Sequence, residues 1–97
     1  MQTKINEKML LEVSEFYKVL SDYTRLKIVY LLTKGELCVS EIEEAIGMSQ
    51  TAVSYQLKML RQAHLVKYYR KGQNVFYSID DDHVDEIINM TIEHISE

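Results

Sequence analysis

The feature that most constrains the fold is a short helix, a glycine and a longer helix in the middle of the chain. Ser40 and Glu43 form a capping box that predicts the start of the short helix, and Gly47 follows as the turn residue. Ser49 is a suitable N-cap for the longer helix. Its apolar residues recur at four- and three-residue spacing as Val53, Leu57 and Leu60. This arrangement is typical of a helix-turn-helix.

The hydrophobic period changes directly after the longer helix. Residues 65–70 and 75–79 are rich in Val, Tyr, Phe and Ile, and they flank a short polar segment that contains Gly72. This pattern predicts a β-hairpin, which would form a wing beside the helix-turn-helix. Three aspartates at 80–82 then predict the cap of a last helix, which reaches about residue 96.

Two amphipathic segments precede the helix-turn-helix. Three- and four-residue spacing predicts one helix from Ile5 to Leu20 and a second from Arg25 to Thr33, with Ser21 and Asp22 placed to cap the second. Residues 36–39 read as a short extended link.

The predicted fold is therefore mainly α with a β-hairpin, a winged helix-turn-helix of order α-α-α-α-β-β-α. We expect one domain over residues 1–97. It would hold a recognition helix at about 49–63, a wing at about 65–79 and a C-terminal helix at about 82–96.

Length and composition narrow the functional class. A chain of 97 residues buries a modest fraction of its surface, so we expect oligomerisation to add stability. No segment approaches the apolar length of a membrane span, and residues 1–4 lead into a polar amphipathic segment rather than a signal peptide. Cys38 is the single cysteine, which fits a reducing cytoplasm. We therefore expect a cytoplasmic protein without membrane contact.

The charge distribution points to nucleic acid despite a net charge of −4. Residues 1–48 carry six basic and eight acidic side chains. Residues 49–79 carry five basic side chains and none that is acidic, whereas residues 80–97 carry seven acidic ones and none that is basic. A basic segment of this kind is the electrostatic pattern expected of a DNA-binding surface, although a solvated helix face would look similar.

The candidate DNA-binding residues fall on the longer helix and on the hairpin. The outer face of the helix carries Gln50, Thr51, Ser54, Tyr55, Lys58 and Arg61, and the wing carries Lys67, Arg70, Lys71 and Gln73. The first turn of a recognition helix meets base edges, where Gln can pair with adenine. The Lys and Arg side chains are suited to phosphates. The predicted partner is a double-stranded DNA operator.

Several blocks of the sequence resemble the ArsR/SmtB family of metal-sensing repressors. They are residues 20–29, 36–39, 49–58, 63–66, 70–73 and 75–78, which lie between residues 20 and 78. The resemblance implies a homodimer that represses its own operon by binding an inverted repeat, with the first and last helices at the interface. The chain has Tyr55 where the family commonly has histidine or arginine, which leaves the base preference open.

Four potential metal ligands lie at the two ends of the last predicted helix: Asp81, His83, His94 and Glu97. The two histidines are eleven residues apart, or about 16.5 Å along a helix axis. Since a zinc–nitrogen bond is about 2.0–2.1 Å, one helix cannot place both on one ion. Two antiparallel copies can, with Asp81 and His83 of one protomer meeting His94 and Glu97 of the other in two equivalent sites.

The chemistry of this ligand set favours zinc. Two imidazoles and two carboxylates suit tetrahedral Zn²⁺, with Co²⁺ as a substitute. The pattern also matches the C-terminal zinc site of certain ArsR/SmtB members. That resemblance implies that His94 donates a hydrogen bond to the backbone carbonyl of His64, an outer-shell contact that would carry the metal signal toward the recognition helix.

The thiolate site of the family is not predicted here. It requires a second cysteine near Cys38, and the chain has Ser40 instead. We therefore do not expect sensing of cadmium, lead or arsenic, and we interpret Cys38 as a small buried hydrophobic residue.

Other functions remain open at this point. One is a winged-helix regulator of the same fold that has no metal inducer, and another is a structural nucleoid protein without sequence preference. No nucleophile–base pair or phosphate loop is present in the sequence, so we do not expect an enzyme.

Overall fold

A computed structural model of the chain describes residues 6–97, in which five helices and three strands are present. The helices are α1 (Glu7–Leu20), α2 (Tyr23–Leu32), α3 (Val39–Ile46), α4 (Gln50–Gln62) and α5 (Asp82–Ser96), and the strands are β1 (Leu37–Cys38), β2 (Val66–Lys71) and β3 (Asn74–Ile79). The predicted fold class, a mainly helical winged helix-turn-helix, is confirmed. Ile5, predicted to begin the first helix, lies outside the described residues.

The element order differs from the predicted one by the strand β1. Leu37 pairs with Tyr77 and Cys38 with Phe76, so β1 adds to the wing in the antiparallel order β1-β3-β2. The predicted extended link is thus part of the sheet. A two-residue strand has no periodicity of its own, so only its pairing with β3 defines it.

Because of the strand β1, α3 begins two residues earlier than predicted. Its N-cap is Cys38, whose backbone N–H donates to Glu41 Oε1 at 2.9 Å. The predicted capping box of Ser40 and Glu43 is therefore wrong by two residues. Pairing with β3 keeps Cys38 extended, and the helix begins at the next residue.

Two other predicted caps are confirmed. The Asp22 carboxylate accepts the N–H of Arg25 at 3.1 Å, and the Ser49 hydroxyl accepts the N–H of Ala52 at 3.2 Å. Each bond satisfies a backbone donor that the first turn of a helix leaves free.

The core lies where α2, α3 and α4 pack against one another and against the sheet. Its buried side chains are Leu20, Ile28, Val29, Leu32, Ile42, Val53, Leu57, Leu60, Leu65, Val66, Tyr77, Val84 and Ile88. The inner face predicted for the recognition helix is confirmed, since Val53, Leu57 and Leu60 are at most 1% exposed. Within residues 6–97 no polar or charged side chain is buried.

The helices α1 and α5 leave large apolar faces uncovered in one protomer. Exposed apolar residues on them are Met9, Leu10, Leu11, Val13, Tyr17, Met90, Ile92 and Ile95. An open apolar groove of about 660 Å³ runs between α1, α2 and α5. Contiguous apolar surface of this kind marks an interaction site. Within residues 6–97, no helix combines the length and apolar character needed to cross a membrane.

The end of α4 is closed by a residue in the left-handed region. His64 has φ 61°, and the N–H groups of His64 and Leu65 donate to the carbonyls of Arg61 and Leu60 at 3.0 Å each. This is a Schellman-type C-cap, in which glycine is the usual residue.

Replacing His64 with glycine should stabilise the fold. An L-residue in the left-handed region costs about 1–2 kcal/mol, and glycine removes most of that cost. We expect His64→Gly to raise the free energy of unfolding by about 1 kcal/mol in urea titrations. Ala63→Gly is the matched control, because Ala63 has φ −89° and glycine there should lower stability instead. A lower stability for His64→Gly would contradict this interpretation.

Candidate nucleic-acid interface and metal site

The outer face of α4 presents the predicted base-reading side chains to solvent. Gln50 and Thr51 occupy the first turn, next to the N-cap Ser49, and both are exposed. Ser54, Tyr55 and Lys58 continue the same face and are also exposed. Because the opposite face of α4 is buried in the core, these side chains project from a fixed element.

The wing presents the predicted phosphate-binding side chains. The two-residue loop between β2 and β3 begins with Gly72, whose φ of 63° is accessible to glycine without strain. The polar residues of this hairpin that were predicted to face DNA are all exposed: Lys67, Arg70, Lys71 and Gln73. The exposure of these side chains leaves them available to DNA.

Arg61 has an additional contact within the protein. Its guanidinium carbon lies 4.9 Å from the centre of the Tyr68 ring, a cation–π contact between the end of α4 and β2. Tyr68 in turn stacks on Tyr77. Burial raises the pKa of Tyr77, and Arg61 opposes that rise. Arg61 is itself exposed, so it can meet a phosphate from a position that Tyr68 helps to fix.

A second contact stabilises the opposite face of the wing. The Tyr69 hydroxyl donates to Glu36 at 2.6 Å, and the Tyr69 ring stacks on Phe76 with centroids 5.4 Å apart. The hydrogen bond to Glu36 raises the pKa of Tyr69. Sequence reasoning missed both wing contacts. Glu36 and Tyr69 are 33 residues apart in sequence, and the contact of Arg61 with Tyr68 depends on how the end of α4 packs against β2.

The first half of the predicted metal site lies at the N-terminus of α5. Asp81 is the N-cap, and its Oδ1 accepts the backbone N–H of His83 at 2.9 Å and lies 3.4 Å from His83 Nδ1. Desolvation would raise the pKa of Asp81, but hydrogen bonds from His83 lower it below its ordinary value. The Asp81 and His83 side chains are therefore close together, and both are exposed.

The second half lies at the other end of the same helix. His94 is in the last turn of α5, and Glu97 follows as the C-cap residue. Both are exposed. Across residues 6–97 of one protomer, no three His, Cys, Asp or Glu side chains are grouped to hold a metal. One protomer thus holds the predicted ligands as two separated pairs, as the helix length requires.

His64 and Cys38, which the sequence analysis also singled out, differ in their exposure to solvent. His64 is exposed, and its left-handed conformation sets the direction of the loop after α4. Cys38 is half-buried, with Sγ 3.3 Å from Ser40 Oγ, so its interpretation as a buried hydrophobic residue is wrong.

Comparison with known proteins places these features in a family. The model of the family described as "Bacterial regulatory protein, arsR family" matches residues 22–68. The chain is 41% identical to the transcriptional repressor SmtB homolog of Synechocystis, over 89% of this chain and 65% of that protein. It is 38% identical to the cadmium resistance transcriptional regulatory protein CadC homolog of Staphylococcus aureus, over 87% of this chain and 70% of that protein.

A solved structure supports the fold assignment. It is the homodimeric winged helix-turn-helix DNA-binding domain of a possible ArsR-family regulator from Mycobacterium bovis, with a TM-score of 0.88 and 30% identity. The match covers 100% of this chain and 92% of that domain. The chain therefore has the fold of a winged helix-turn-helix DNA-binding domain. The similar proteins are regulators, so the prediction that the chain is not an enzyme is confirmed.

Asp81 should contribute to stability as a cap independently of any metal. Asparagine caps helices about as well as aspartate, whereas alanine does not. We expect Asp81→Ala to lower the thermal midpoint by a few degrees in metal-free buffer, and Asp81→Asn to leave it nearly unchanged at pH 7. Equal losses in the two variants would contradict the capping role.

The same carboxylate predicts a pH dependence. Because the pKa of folded Asp81 is lowered, the charge-dependent part of its contribution to stability is present above the unfolded value of about 4 and is lost as pH falls through the folded pKa. The stability advantage of wild type over Asp81→Ala should therefore shrink below about pH 4, as measured by thermal melts across the acid range.

Helix and wing residues should affect DNA binding in different ways. Arg70→Ala removes one phosphate contact, so affinity should fall similarly for all sequences and the salt slope should drop by about 1. Gln50→Ala should instead reduce discrimination between operator and mutated operator by about 1–3 kcal/mol. DNA titrations at several salt concentrations distinguish the phosphate contact of Arg70 from base reading by Gln50. A Gln50→Ala variant with unchanged discrimination would exclude base reading by Gln50.

Proposed function

The chain belongs to the ArsR family of bacterial regulatory proteins, and we propose that it is a repressor that releases its operator when zinc binds between two protomers. The protein would bind an operator inverted repeat as a homodimer. The observation that carries the proposal is the placement of two ligand pairs at opposite ends of α5, a helix with an uncovered apolar face.

The DNA-binding part of the proposal rests on three properties of residues 49–79. Their charged side chains are all basic, the polar face of α4 is exposed, and the wing residues project beside it. The two recognition helices of a dimer would enter successive major grooves, about 34–36 Å apart. Such spacing makes binding sensitive to the relative position of the protomers.

The dimer part rests on the apolar faces of α1 and α5. In one protomer, Ile92 and Ile95 are 44% and 75% exposed, and α5 buries only Val84 and Ile88. A two-fold axis that pairs α5 with its symmetry mate would cover this face. In an antiparallel pair, the first turn of one α5 lies beside the last turn of the other.

The metal part follows from that pairing. Asp81 and His83 of one protomer would join His94 and Glu97 of its partner, and the symmetry would create two sites. The proximity of Asp81 Oδ1 to His83 Nδ1, at 3.4 Å, supports convergence of the first pair. When bound there, Zn²⁺ would cross-link the two α5 helices.

The donor set also bears on the choice of metal. Imidazole and carboxylate donors suit Zn²⁺ and, as a spectroscopic substitute, Co²⁺. Cys38 is the only thiol in the sequence, so a soft metal would lack the thiolate cluster that it prefers. We therefore assign zinc rather than cadmium to this chain.

Release of the operator would follow from a small rotation of one protomer relative to the other at the dimer interface. His94 would donate its second imidazole N–H to the carbonyl of His64, at the end of the recognition helix, as the family resemblance implies. Shifting DNA occupancy from nearly full to nearly empty requires about 5.5 kcal/mol of differential affinity. A pivot that misaligns both recognition helices acts on both half-sites at once.

A complementation experiment tests the shared site. A homodimer of His83→Gln or of His94→Gln has both sites damaged and should bind no zinc at high affinity. A heterodimer with one copy of each variant should regain one site, because His83 of one protomer and His94 of the other remain. Zinc titration of affinity-purified heterodimers should give one zinc per dimer and partial zinc-dependent release from operator DNA.

The control is a heterodimer of wild type with Glu86→Gln, which changes an exposed acidic residue of α5 outside the ligand set. It should bind two zinc ions per dimer. Absence of zinc binding by the complemented heterodimer would contradict a site shared between protomers. Zinc binding without any loss of operator affinity would instead favour a regulator of this fold that has no metal inducer.

A further inference from the structure

Arg25 joins the end of the first helix to the back of the recognition helix. Its Nε donates to the carbonyl of Val19 at 2.7 Å, and its Nη1 donates to Gln56 Oε1 at 3.1 Å. Its own backbone N–H is held by the cap Asp22. One half-buried side chain therefore connects α1, α2 and α4.

Each of these bonds has a physical reason. Val19 lies in the last turn of α1, where carbonyls have no partner within the helix and the helix dipole attracts a cation. The planar guanidinium has donors in fixed directions, so it can serve two acceptors at once. The result is a defined distance between the end of α1 and the middle of α4.

Gln56 is on the side of α4 that faces away from DNA. It lies about 160° around the helix axis from Lys58, and it is half-buried whereas Lys58 is exposed. The inner face of α4 is otherwise held by apolar packing, which resists separation but provides few directional contacts. The bond from Arg25 adds a directional restraint on the rotation of α4.

We propose that Arg25 and Gln56 are positioning residues that transmit the placement of the dimerisation helix α1 to the recognition helix. The exposed apolar residues of α1, such as Val13 and Tyr17, would set its position in the dimer. Arg25 then fixes α4 relative to that helix. This inference rests on the DNA-binding and dimer parts of the proposed function and is independent of the metal.

The consequence is strict recognition of half-site spacing. One base pair inserted between half-sites rotates one of them by about 34–36° and moves it along the DNA axis. A dimer with firmly positioned recognition helices should bind such DNA poorly. A dimer in which α4 can rotate should tolerate it better.

The test compares wild type with Gln56→Met, which keeps side-chain length but removes the acceptor. An operator duplex is first selected from random-sequence DNA by the wild-type dimer. Zinc-free affinities are then measured for this duplex and for versions with one base pair inserted or deleted. We expect wild type to discriminate by about tenfold or more, and Gln56→Met by about two- to threefold.

Three further variants separate positioning from general destabilisation. Gln56→Glu retains an acceptor for Arg25 and should keep wild-type spacing discrimination. Gln62→Met, the same substitution at an exposed position of α4, should keep it as well. Arg25→Lys, which loses the two-acceptor geometry, should behave like Gln56→Met and replaces it if that variant is unfolded.

Thermal midpoints and dimerisation constants measured on the same samples identify variants that are folded and dimeric. Wild-type discrimination in folded, dimeric Gln56→Met would overturn the inference. So would an equal loss in Gln56→Glu. Because zinc is absent throughout, a negative result here leaves the zinc proposal standing, and failure of zinc-dependent release leaves this comparison intact.

Discussion

Burial of one face of α4 is the packing interaction on which the rest of the structure depends. Val53, Leu57 and Leu60 occupy the centre of the core, where α2, α3 and the sheet meet. This packing leaves the opposite face exposed, with polar residues suited to reading DNA. The same core supports the wing through Leu65 and Val66, which are also buried. The recognition helix α4 and the wing therefore pack on the same hydrophobic core.

The helix α5 imposes a second constraint by its length. The predicted ligand pairs at its two ends are separated by about three turns, so neither end can bind a metal through four side chains of one protomer. The exposed apolar face between those ends provides the surface that a second copy can cover. In the proposed mechanism, metal binding therefore requires a dimer that has already formed without metal. Contacts such as Arg25 with Gln56 would then connect the dimer to the recognition helices.

Local sequence patterns predicted the elements that local chemistry determines. The spacing of Val53, Leu57 and Leu60 identified the inner face of α4, and Asp22 and Ser49 were identified as caps because each bonds within three residues. Longer-range features were not predictable in this way. The strand β1 exists through pairing with β3, and it also displaced the start of α3 and left Cys38 half-buried.

The same distinction holds for the candidate sites. The exposed residues of α4 and the wing could be chosen from periodicity and charge. The contacts that hold them, between Arg61 and Tyr68 and between Tyr69 and Glu36, depend on tertiary register. The separation of the two predicted ligand pairs followed from spacing alone, because helix geometry fixes it. How closely they converge depends on the partner protomer.

The most direct test of the account is the zinc affinity of the dimer with and without bound operator DNA. If zinc weakens operator binding through a coupling free energy, operator DNA must weaken zinc binding by the same factor. Competition with a chelator of known affinity measures both states. We predict a large loss of zinc affinity in the DNA complex, equal to the loss of DNA affinity caused by zinc. Equal zinc affinities in the free and DNA-bound dimer would contradict the account.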